Sequence, residues 1–179
     1  MRMEEAKRIR LLAMDVDGVL TDGRIILGDK DLELKCFDVR DGMGLSLARK
    51  AGLKTALLTG RRSEAVSRRA GELHCAYCLQ NVADKLAALG EILRDERLAW
   101  EEVAYIGDDL NDLRPMASVG LAIAVGDAAP EVAAAAAYRC QALGGRGAVR
   151  EAVEFILKTQ GKWDGIVASM REGAEKLGQ

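Results

Sequence analysis

Aspartate residues follow two separate, largely apolar runs of the sequence, and their types and spacing suggest chemistry on phosphoryl groups. Asp15 and Asp17 come directly after the run Ile9 to Met14, and Asp108 follows the run Val103 to Ile106. Carboxylates at the ends of buried strands are costly to desolvate and repel each other. A cation or a phosphoryl group would offset that cost, so these residues predict a magnesium-assisted phosphoryl-transfer site.

The two clusters contain the groups that hydrolysis of a phosphate monoester needs. Asp15 can act as the nucleophile and form an aspartyl-phosphate. Asp17 can protonate the leaving oxygen and then act as the base for the attacking water. Mg²⁺ prefers hard oxygen ligands, and Asp15, Asp108 and a backbone carbonyl would supply them.

Groups that can bind a phosphate follow other apolar runs. Lys85 can hold phosphoryl oxygens as a point charge, while the Thr59 hydroxyl and the Gly60 N–H can donate hydrogen bonds to them. In open parallel sheets, ligands bind beyond the carboxyl ends of the strands, where all these residues are expected. This convergence is stronger evidence than any one of the motifs.

Apolar runs of strand length alternate with segments of helical period, which predicts an α/β fold with a central parallel sheet. The predicted strands are Leu11–Asp15, Thr55–Thr59, Ala76–Gln80, Val103–Gly107 and Val119–Val125. The predicted helices are Met43–Ala51, Ser63–Glu72, Ala83–Arg97, Leu110–Met116, Glu131–Ala136 and Ala148–Lys158.

The segment Arg24–Asp38 interrupts this alternation and reads as a β-hairpin with its turn at Gly28–Asp31. A lone two-stranded hairpin is marginally stable in water, so it should pack on this domain or on another subunit. With 179 residues, the chain is expected to form a single domain, residues 1–179, that ends in a tail over residues 160–179.

Composition excludes several classes of protein. The net charge of −2 argues against a dedicated nucleic-acid binder. The first residues are charged and lack a signal-peptide core, and no apolar run approaches the ~20 residues of a membrane span. We therefore expect a cytoplasmic protein with no nucleic-acid or membrane partner. Cys75 and Cys78 are expected to be reduced thiols that do not face one pocket, rather than ligands of a zinc site.

Taken in order, these motifs resemble the four motifs of the haloacid dehalogenase superfamily. They are the Asp15-x-Asp17 pair, the Thr59-Gly60 strand end, Lys85, and the acidic loop that begins at Asp108. The segments 18–23, 39–42 and 144–151 further resemble a narrower branch, the 3-deoxy-D-manno-octulosonate (KDO) 8-phosphate phosphatases of lipopolysaccharide sugar synthesis.

The resemblance implies a Rossmann-like three-layer sandwich with a hairpin extension and no cap domain. By resemblance, Asp15 is the nucleophile and Asp17 the acid/base. Asp15, the Asp17 carbonyl and Asp108 hold Mg²⁺. Thr59, Gly60 and Lys85 bind phosphate.

The branch also implies a homotetramer in which hairpins assemble together over open sites. Arg61 is a candidate contact for a small sugar phosphate, because a Thr-Gly-Arg strand end is typical of this branch. One departure is Asn81, which stands where the branch usually has glycine; asparagine tolerates a positive φ better than most residues.

Other functions compete with this interpretation. One is a phosphatase of a nine-carbon keto-sugar phosphate, but such relatives tend to carry Glu where this chain has Arg61. Another is a non-catalytic oligomerisation module, which is disfavoured because every catalytic acid is retained. A phosphomutase remains open, although such enzymes usually carry a cap.

Overall fold

The computed structural model describes residues 2–29 and 32–172. Its strands are β1 Leu11–Met14, β2 Ile26–Leu27, β3 Glu33–Leu34, β4 Lys54–Leu58, β5 Tyr77–Leu79, β6 Val103–Gly107, β7 Leu121–Ala124 and β8 Tyr138–Arg139. Its α-helices are α1 Arg2–Lys7, α2 Val39–Lys50, α3 Glu64–Glu72, α4 Lys85–Glu96, α5 Leu113–Ser118, α6 Pro130–Ala135, α7 Ala148–Thr159 and α8 Trp163–Arg171. Short 3-10 turns at Trp100–Glu102 and Leu110–Asp112 precede β6 and α5.

A parallel sheet with the strand order β5-β4-β1-β6-β7-β8 forms the centre of the molecule. Strand β1 lies between β4 and β6, with Leu11 opposite Lys54 on one side and Val103 on the other. Every residue of β1 is buried, as expected for a strand covered on both faces. The strand order places the ends of β4, β1 and β6 side by side.

Side chains that alternate along β1 enter two different cores. Leu12 and Met14 pack in a core that includes residues of α1, α2, α3 and α7, whereas Leu11 and Ala13 pack in one that includes residues of α4, α5 and α6. This follows from the two-residue period of a strand. The result is a sheet between two helical layers, so the predicted three-layer α/β sandwich is confirmed.

The predicted hairpin is present between β1 and α2. Strands β2 and β3 pair antiparallel, with Ile26 opposite Leu34, and the Gly28 N–H donates to the Leu32 carbonyl over 2.7 Å. Part of the predicted turn, residues 30–31, lies outside the described residues. Between Asp17 and Thr59 the described chain holds this hairpin, α2 and β4, an arrangement without a cap domain.

Helix α2 begins a turn earlier than the predicted start at Met43. Asp38 caps it, because its carboxylate accepts a hydrogen bond of 2.7 Å from the Arg40 N–H. Asp38 was expected at the end of the hairpin, and the helix was expected to begin after Gly42. Gly42 lies inside the helix, where an added Cβ would lie 2.3 Å from the Arg69 guanidinium.

Three elements were not predicted, namely α1, β8 and α8. Strand β8 has only two residues, which is too short for a periodic signal. Helix α8 lies in the segment expected to be a tail, and the last part of that tail, residues 173–179, lies outside the described residues. Among the residues that the structure describes, no helix is long and apolar enough to cross a membrane.

Candidate active site

The predicted site residues meet at the carboxyl ends of the central strands. Asp15 directly follows β1, Thr59 follows β4, Asp108 follows β6, and Lys85 is the first residue of α4. Asp15, Thr59 and Lys85 are at most 6 % exposed. The fold therefore brings residues from distant parts of the sequence to one edge of the sheet.

Lys85 bridges two buried carboxylates. Its Nζ lies 3.0 Å from Oδ2 of Asp15 and 2.7 Å from Oδ1 of Asp112. Burial by itself lowers the pKa of this ammonium, but the charges of Asp15 and Asp112 outweigh burial and raise the pKa overall. The Lys85 side chain therefore remains a cation beside Asp15.

Asp112 holds several groups of the site in place, and no role was predicted for it from the sequence. It is fully buried; Oδ1 also accepts from the Tyr105 hydroxyl at 2.8 Å, and Oδ2 accepts from the Asp108 N–H at 3.0 Å. The available signal was its position four residues after Asp108, which lets the side chain fold back onto that N–H. Asp112 thereby holds both Lys85 and the loop that carries Asp108.

The carboxylates form a cluster suited to a metal ion. Ligand atoms of Asp15, Asp108 and Asp112 lie within 4.8 Å of one another. Oδ1 of Asp108 is buried and has no hydrogen-bond partner among the described residues. Because the oxygens of Asp112 already accept several hydrogen bonds, Asp15 and Asp108 are the residues whose oxygens fit a hard cation such as Mg²⁺.

A glycine makes this cluster possible. Gly18 adopts φ of 98°, and a Cβ there would lie 2.0 Å from Oδ2 of Asp108. Any larger residue would displace the carboxylate from the position it shares with Asp15. The glycine after Asp17 is therefore required both by its backbone conformation and by the space that Asp108 occupies.

The electrostatics of the cluster raise the pKa values of two of its carboxyls when no metal is bound. Burial, with the neighbouring charges of Asp15 and Asp112, raises the pKa of Asp108 to about 8. Burial also raises the pKa of Asp15 to about 6; the Lys85 charge lowers it and the Asp112 charge raises it. A bound divalent cation would stabilise the ionised forms of both carboxyls.

Asp17 contacts the hairpin rather than the other carboxylates. Its Oδ1 is bonded to the Lys35 ammonium, and the Lys35 side chain is 0 % exposed. Lys35 also lies 3.4 Å from Glu33, which binds Arg61 at 3.0 Å. No function was predicted for Glu33, which lies in β3, or for Lys35, which directly follows that strand.

The Thr59-Gly60-Arg61 strand end forms a tight turn beside the sheet. The Arg61 N–H donates to Oγ1 of Thr59 at 3.2 Å, and the Val82 N–H donates to the Thr59 carbonyl at 3.0 Å. Asn81 takes φ of 55°, so the turn expected at this position is retained without glycine.

The expectation that Cys75 and Cys78 would not face one pocket is wrong. Both line an open groove with His74, because β5 begins only at Tyr77 and Cys75 precedes the extended backbone. Cys36, Cys75, Cys78 and Cys140 are all free in the structure. Burial raises the pKa of Cys75 to about 11, which leaves an unreactive thiol. Within the described residues, these side chains form no metal-ligand cluster.

Comparisons with known proteins agree with this geometry. Residues 76–143 match the haloacid dehalogenase-like hydrolase family. The KDO 8-phosphate phosphatase of Escherichia coli K12 is 44 % identical over 160 residues, which cover 89 % of this chain and 85 % of that protein. The phosphatase of the same name from Yersinia pestis is 45 % identical over 163 residues, covering 91 % and 87 %.

Solved structures of such phosphatases superpose closely. The Yersinia pestis structure gives a TM-score of 0.90 at 44 % identity and covers 92 % of this chain and 89 % of that one. The Moraxella catarrhalis enzyme, solved with magnesium, phosphate and KDO, gives 0.92 at 41 % identity, with coverage of 94 % and 97 %. A cobalt-bound structure from Haemophilus influenzae gives 0.85 at 35 % identity, with coverage of 88 % and 92 %.

Proposed function

This chain belongs to the KDO 8-phosphate phosphatase family of haloacid dehalogenase-like hydrolases, and from that premise we propose that it hydrolyses KDO 8-phosphate to KDO and phosphate with Mg²⁺ as cofactor. The surroundings of Asp15 are the main support for this proposal. Buried Asp15 lies at the end of β1, against Lys85 and in one cluster with Asp108. A carboxylate held beside a cation, in a cluster that fits a metal, is suited to accept a phosphoryl group.

Asp15 is the proposed nucleophile. One of its carboxylate oxygens attacks phosphorus, a new P–O bond forms, and the bond between phosphorus and the sugar oxygen breaks. The Val16 N–H donates to Oδ1 of Asp15 at 2.7 Å, and Lys85 holds Oδ2. These contacts fix the orientation of the carboxylate before the substrate arrives.

Asp17 is the proposed general acid and base. It gives a proton to the departing sugar oxygen in the first step, and it takes a proton from the water that attacks the aspartyl-phosphate in the second step. The second step releases phosphate and restores the Asp15 carboxylate. Both proton transfers involve the same side chain, so the cycle ends with Asp17 as it began.

The remaining groups of the site bind the phosphoryl oxygens. Asp15, Asp108 and the Asp17 carbonyl would hold Mg²⁺, which would supply positive charge that offsets the charge of the phosphate. Two N–H groups of the Lys85 ammonium face Asp15 and Asp112, which leaves its third for a phosphoryl oxygen. The Thr59 hydroxyl and the Gly60 N–H are the other proposed donors.

Arg61 is the proposed contact for the sugar acid. Its side chain is about half exposed at the edge of the site and is held by Glu33. A guanidinium here can bind a substrate carboxylate through paired hydrogen bonds. A family of phosphatases for nine-carbon keto-sugar phosphates is the competing assignment, and Arg61 argues for the eight-carbon substrate.

We also propose that the chain acts as a cytoplasmic homotetramer in lipopolysaccharide sugar synthesis. The 1–179 chain would form one catalytic domain whose hairpin, residues 24–38, mediates assembly, and whose tail, residues 160–179, follows α7. Support comes from apolar hairpin side chains that are 40–73 % exposed, namely Ile25, Ile26, Leu27, Leu32 and Leu34. A second copy of the hairpin would bury them.

A phosphate-release screen over sugar phosphates tests the substrate assignment. We expect KDO 8-phosphate to give the highest kcat/KM with Mg²⁺ present and hydrolysis to stop in EDTA. The nine-carbon keto-sugar 9-phosphates and the hexose 6-phosphates serve as competing substrates. A higher kcat/KM for any of them would contradict the eight-carbon assignment, while leaving the phosphatase chemistry intact.

A further inference from the structure

A buried lysine of the hairpin contacts the proposed general acid and base. The Lys35 ammonium is bonded to Oδ1 of Asp17 and lies 3.4 Å from Oε1 of Glu33. The Lys35 side chain is 0 % exposed, whereas those of Asp17 and Glu33 are 19 % and 17 % exposed. A fully buried ammonium between two carboxylates is a fixed feature of the fold rather than a surface ion pair.

A further ion pair connects Glu33 to Arg61. Oε2 of Glu33 accepts a hydrogen bond of 3.0 Å from the Arg61 guanidinium. The charged groups therefore alternate in sign from Asp17 through Lys35 and Glu33 to Arg61. These contacts connect the proposed acid, Asp17, to the proposed substrate-binding residue, Arg61. Glu33 lies in β3, and Lys35 is the residue that follows this strand.

The alternation of the strand explains how one hairpin serves two purposes. Leu32 and Leu34 are each about half exposed, while Glu33 and Lys35 direct their side chains toward the site. Successive side chains of a strand point to opposite faces. The apolar face is available for assembly, and the charged face reaches Asp17 and Arg61.

We propose that Lys35 is a positioning residue for Asp17, and that Glu33 holds both Lys35 and Arg61 in place. Lys35 occupies Oδ1 of Asp17, so Oδ2 is the oxygen that exchanges a proton with the leaving group. The bond fixes the side-chain torsions of Asp17, which would otherwise be free to rotate. This inference rests on the proposed function, because it assigns Lys35 a role through the acid Asp17.

Substrates with different leaving groups distinguish an effect of Lys35 on Asp17 from a general effect of the substitution on folding. Phenolate is a poor leaving group and needs protonation, whereas p-nitrophenolate leaves largely unaided. A misplaced acid should therefore slow phenyl phosphate far more than p-nitrophenyl phosphate. The ratio of the two kcat/KM values does not depend on how much of the enzyme is folded, and neither substrate requires recognition of a sugar.

The experiment measures both aryl phosphates with Lys35→Met, Asp17→Asn and the double variant. Misplacement of a reacting group by about 1 Å typically lowers the rate ~10²-fold, and we expect a loss of that order for phenyl phosphate in Lys35→Met. The kcat/KM for p-nitrophenyl phosphate should change little, because kcat/KM reports the first step, in which the leaving group departs, and not the later attack of water. In the Asp17→Asn background, Lys35→Met should produce no further change in the ratio, since both substitutions remove the same contribution.

Matched variants complete the design. Lys54→Met removes another lysine paired with a carboxylate, Glu96, on the far end of β4, and should leave the ratio unchanged. Glu33→Gln should shift the ratio in the same direction as Lys35→Met, but less. Sedimentation checks that each variant keeps the wild-type assembly, and Lys35→Gln replaces Lys35→Met if that variant does not fold.

Two results would overturn the proposal. One is an equal loss for both aryl phosphates in the lysine variants, which would indicate a purely structural ion pair. The other is a full effect of Lys35→Met in the Asp17→Asn background, which would indicate direct contact with the substrate. Failure of the wild type to hydrolyse KDO 8-phosphate would contradict the proposed substrate and would leave the aryl series to test Lys35.

Discussion

At the scale of single residues, the site is a group of buried carboxylates whose charge is only partly compensated. Lys85 is the ammonium that contacts both Asp15 and Asp112, and it is 5 % exposed. Removing one partner of a buried ion pair leaves a charge without compensation in a low-dielectric environment. Lys85 is therefore expected to matter for stability as well as for binding of phosphate.

Replacing Lys85 with Met should destabilise the metal-free protein and abolish turnover. Breaking a buried ion pair typically costs about 3–5 kcal/mol of the free energy of unfolding. The matched change Lys54→Met removes a half-exposed lysine paired with Glu96, and such surface pairs contribute about 0–1 kcal/mol. Urea unfolding in EDTA measures both, and equal effects of the two substitutions would contradict the assigned role of Lys85.

The pKa of Asp108 predicts how metal-free stability depends on pH. Its folded value of about 8 lies above the unfolded value, so between these values the folded state binds more protons than the unfolded state. The contribution of Asp108 to stability therefore decreases as pH rises from about 4 to 8. Magnesium must bind the ionised form, so its affinity should increase over the same range.

The variant Asp108→Asn tests this dependence. It lacks the titrating carboxyl, so in EDTA it should lose less stability than the wild type between pH 5.5 and pH 8.5. Calorimetry in buffers of different ionisation enthalpy should show proton release when Mg²⁺ binds to the wild type near neutral pH. Identical pH slopes for the two proteins, with no proton release, would show that Asp108 is already ionised without metal.

At the scale of elements, two helix starts are connected to the loop that carries the nucleophile. Asp41 in α2 accepts hydrogen bonds from the Gly147 and Arg150 N–H groups at the start of α7, at 3.1 Å and 2.9 Å. The Gly145 N–H donates to the Val19 carbonyl at 2.8 Å. The loop before α7 thus supports the turn that follows Asp17.

Glycine at position 144 is required by a close backbone contact. A Cβ there would lie 1.7 Å from the Gly18 carbonyl oxygen, a contact that only movement of the backbone can relieve. We expect Gly144→Ala to shift the Gly18 turn, to weaken Mg²⁺ binding and to lower kcat.

Gly165→Ala is the control for this substitution. Its Cβ would meet nothing within 4 Å, and alanine in α8 should leave activity unchanged and stabilise the helix by up to about 1 kcal/mol. Wild-type magnesium affinity in Gly144→Ala would contradict the supporting role of the loop.

The sheet was more predictable than the contacts between elements. Buried strands such as β1 and β6 are continuous apolar runs, and their ends fixed the positions of Asp15 and Asp108. The bond from Lys35 to Asp17 could not be predicted, because it joins the first motif to a hairpin whose docking has no local signal. The role of Asp112 depends on Tyr105 and Lys85, which become its neighbours only in the folded chain.

At the scale of the whole molecule, the hairpin exposes an apolar face beside the mouth of the site. Leu32 and Leu34 are 51 % and 50 % exposed, which favours burial against further copies of the hairpin. Without a cap domain, the walls that recognise the sugar must come from elsewhere. Neighbouring subunits could form these walls. An enzyme distinguishes one sugar phosphate from another through buried polar groups that bind the sugar hydroxyls.

Replacing Leu32 and Leu34 together with Lys should dissociate the proposed tetramer. The separated chains should keep magnesium-dependent hydrolysis of p-nitrophenyl phosphate, because Asp15, Lys85 and Asp108 lie on one chain. They should lose most of their preference for KDO 8-phosphate. Sedimentation with kinetics decides this: a monomeric wild type, or a dissociated variant with unchanged kcat/KM for the sugar phosphate, would contradict the role of assembly.

Asp15 is the residue proposed to accept the phosphoryl group of KDO 8-phosphate. The most direct test compares the wild type with Asp15→Asn in hydrolysis of KDO 8-phosphate at saturating Mg²⁺, with circular dichroism to verify the fold. An amide is not a nucleophile for phosphorus, so kcat/KM should fall by several orders of magnitude. Retention of more than about a tenth of the wild-type value would contradict covalent catalysis at Asp15.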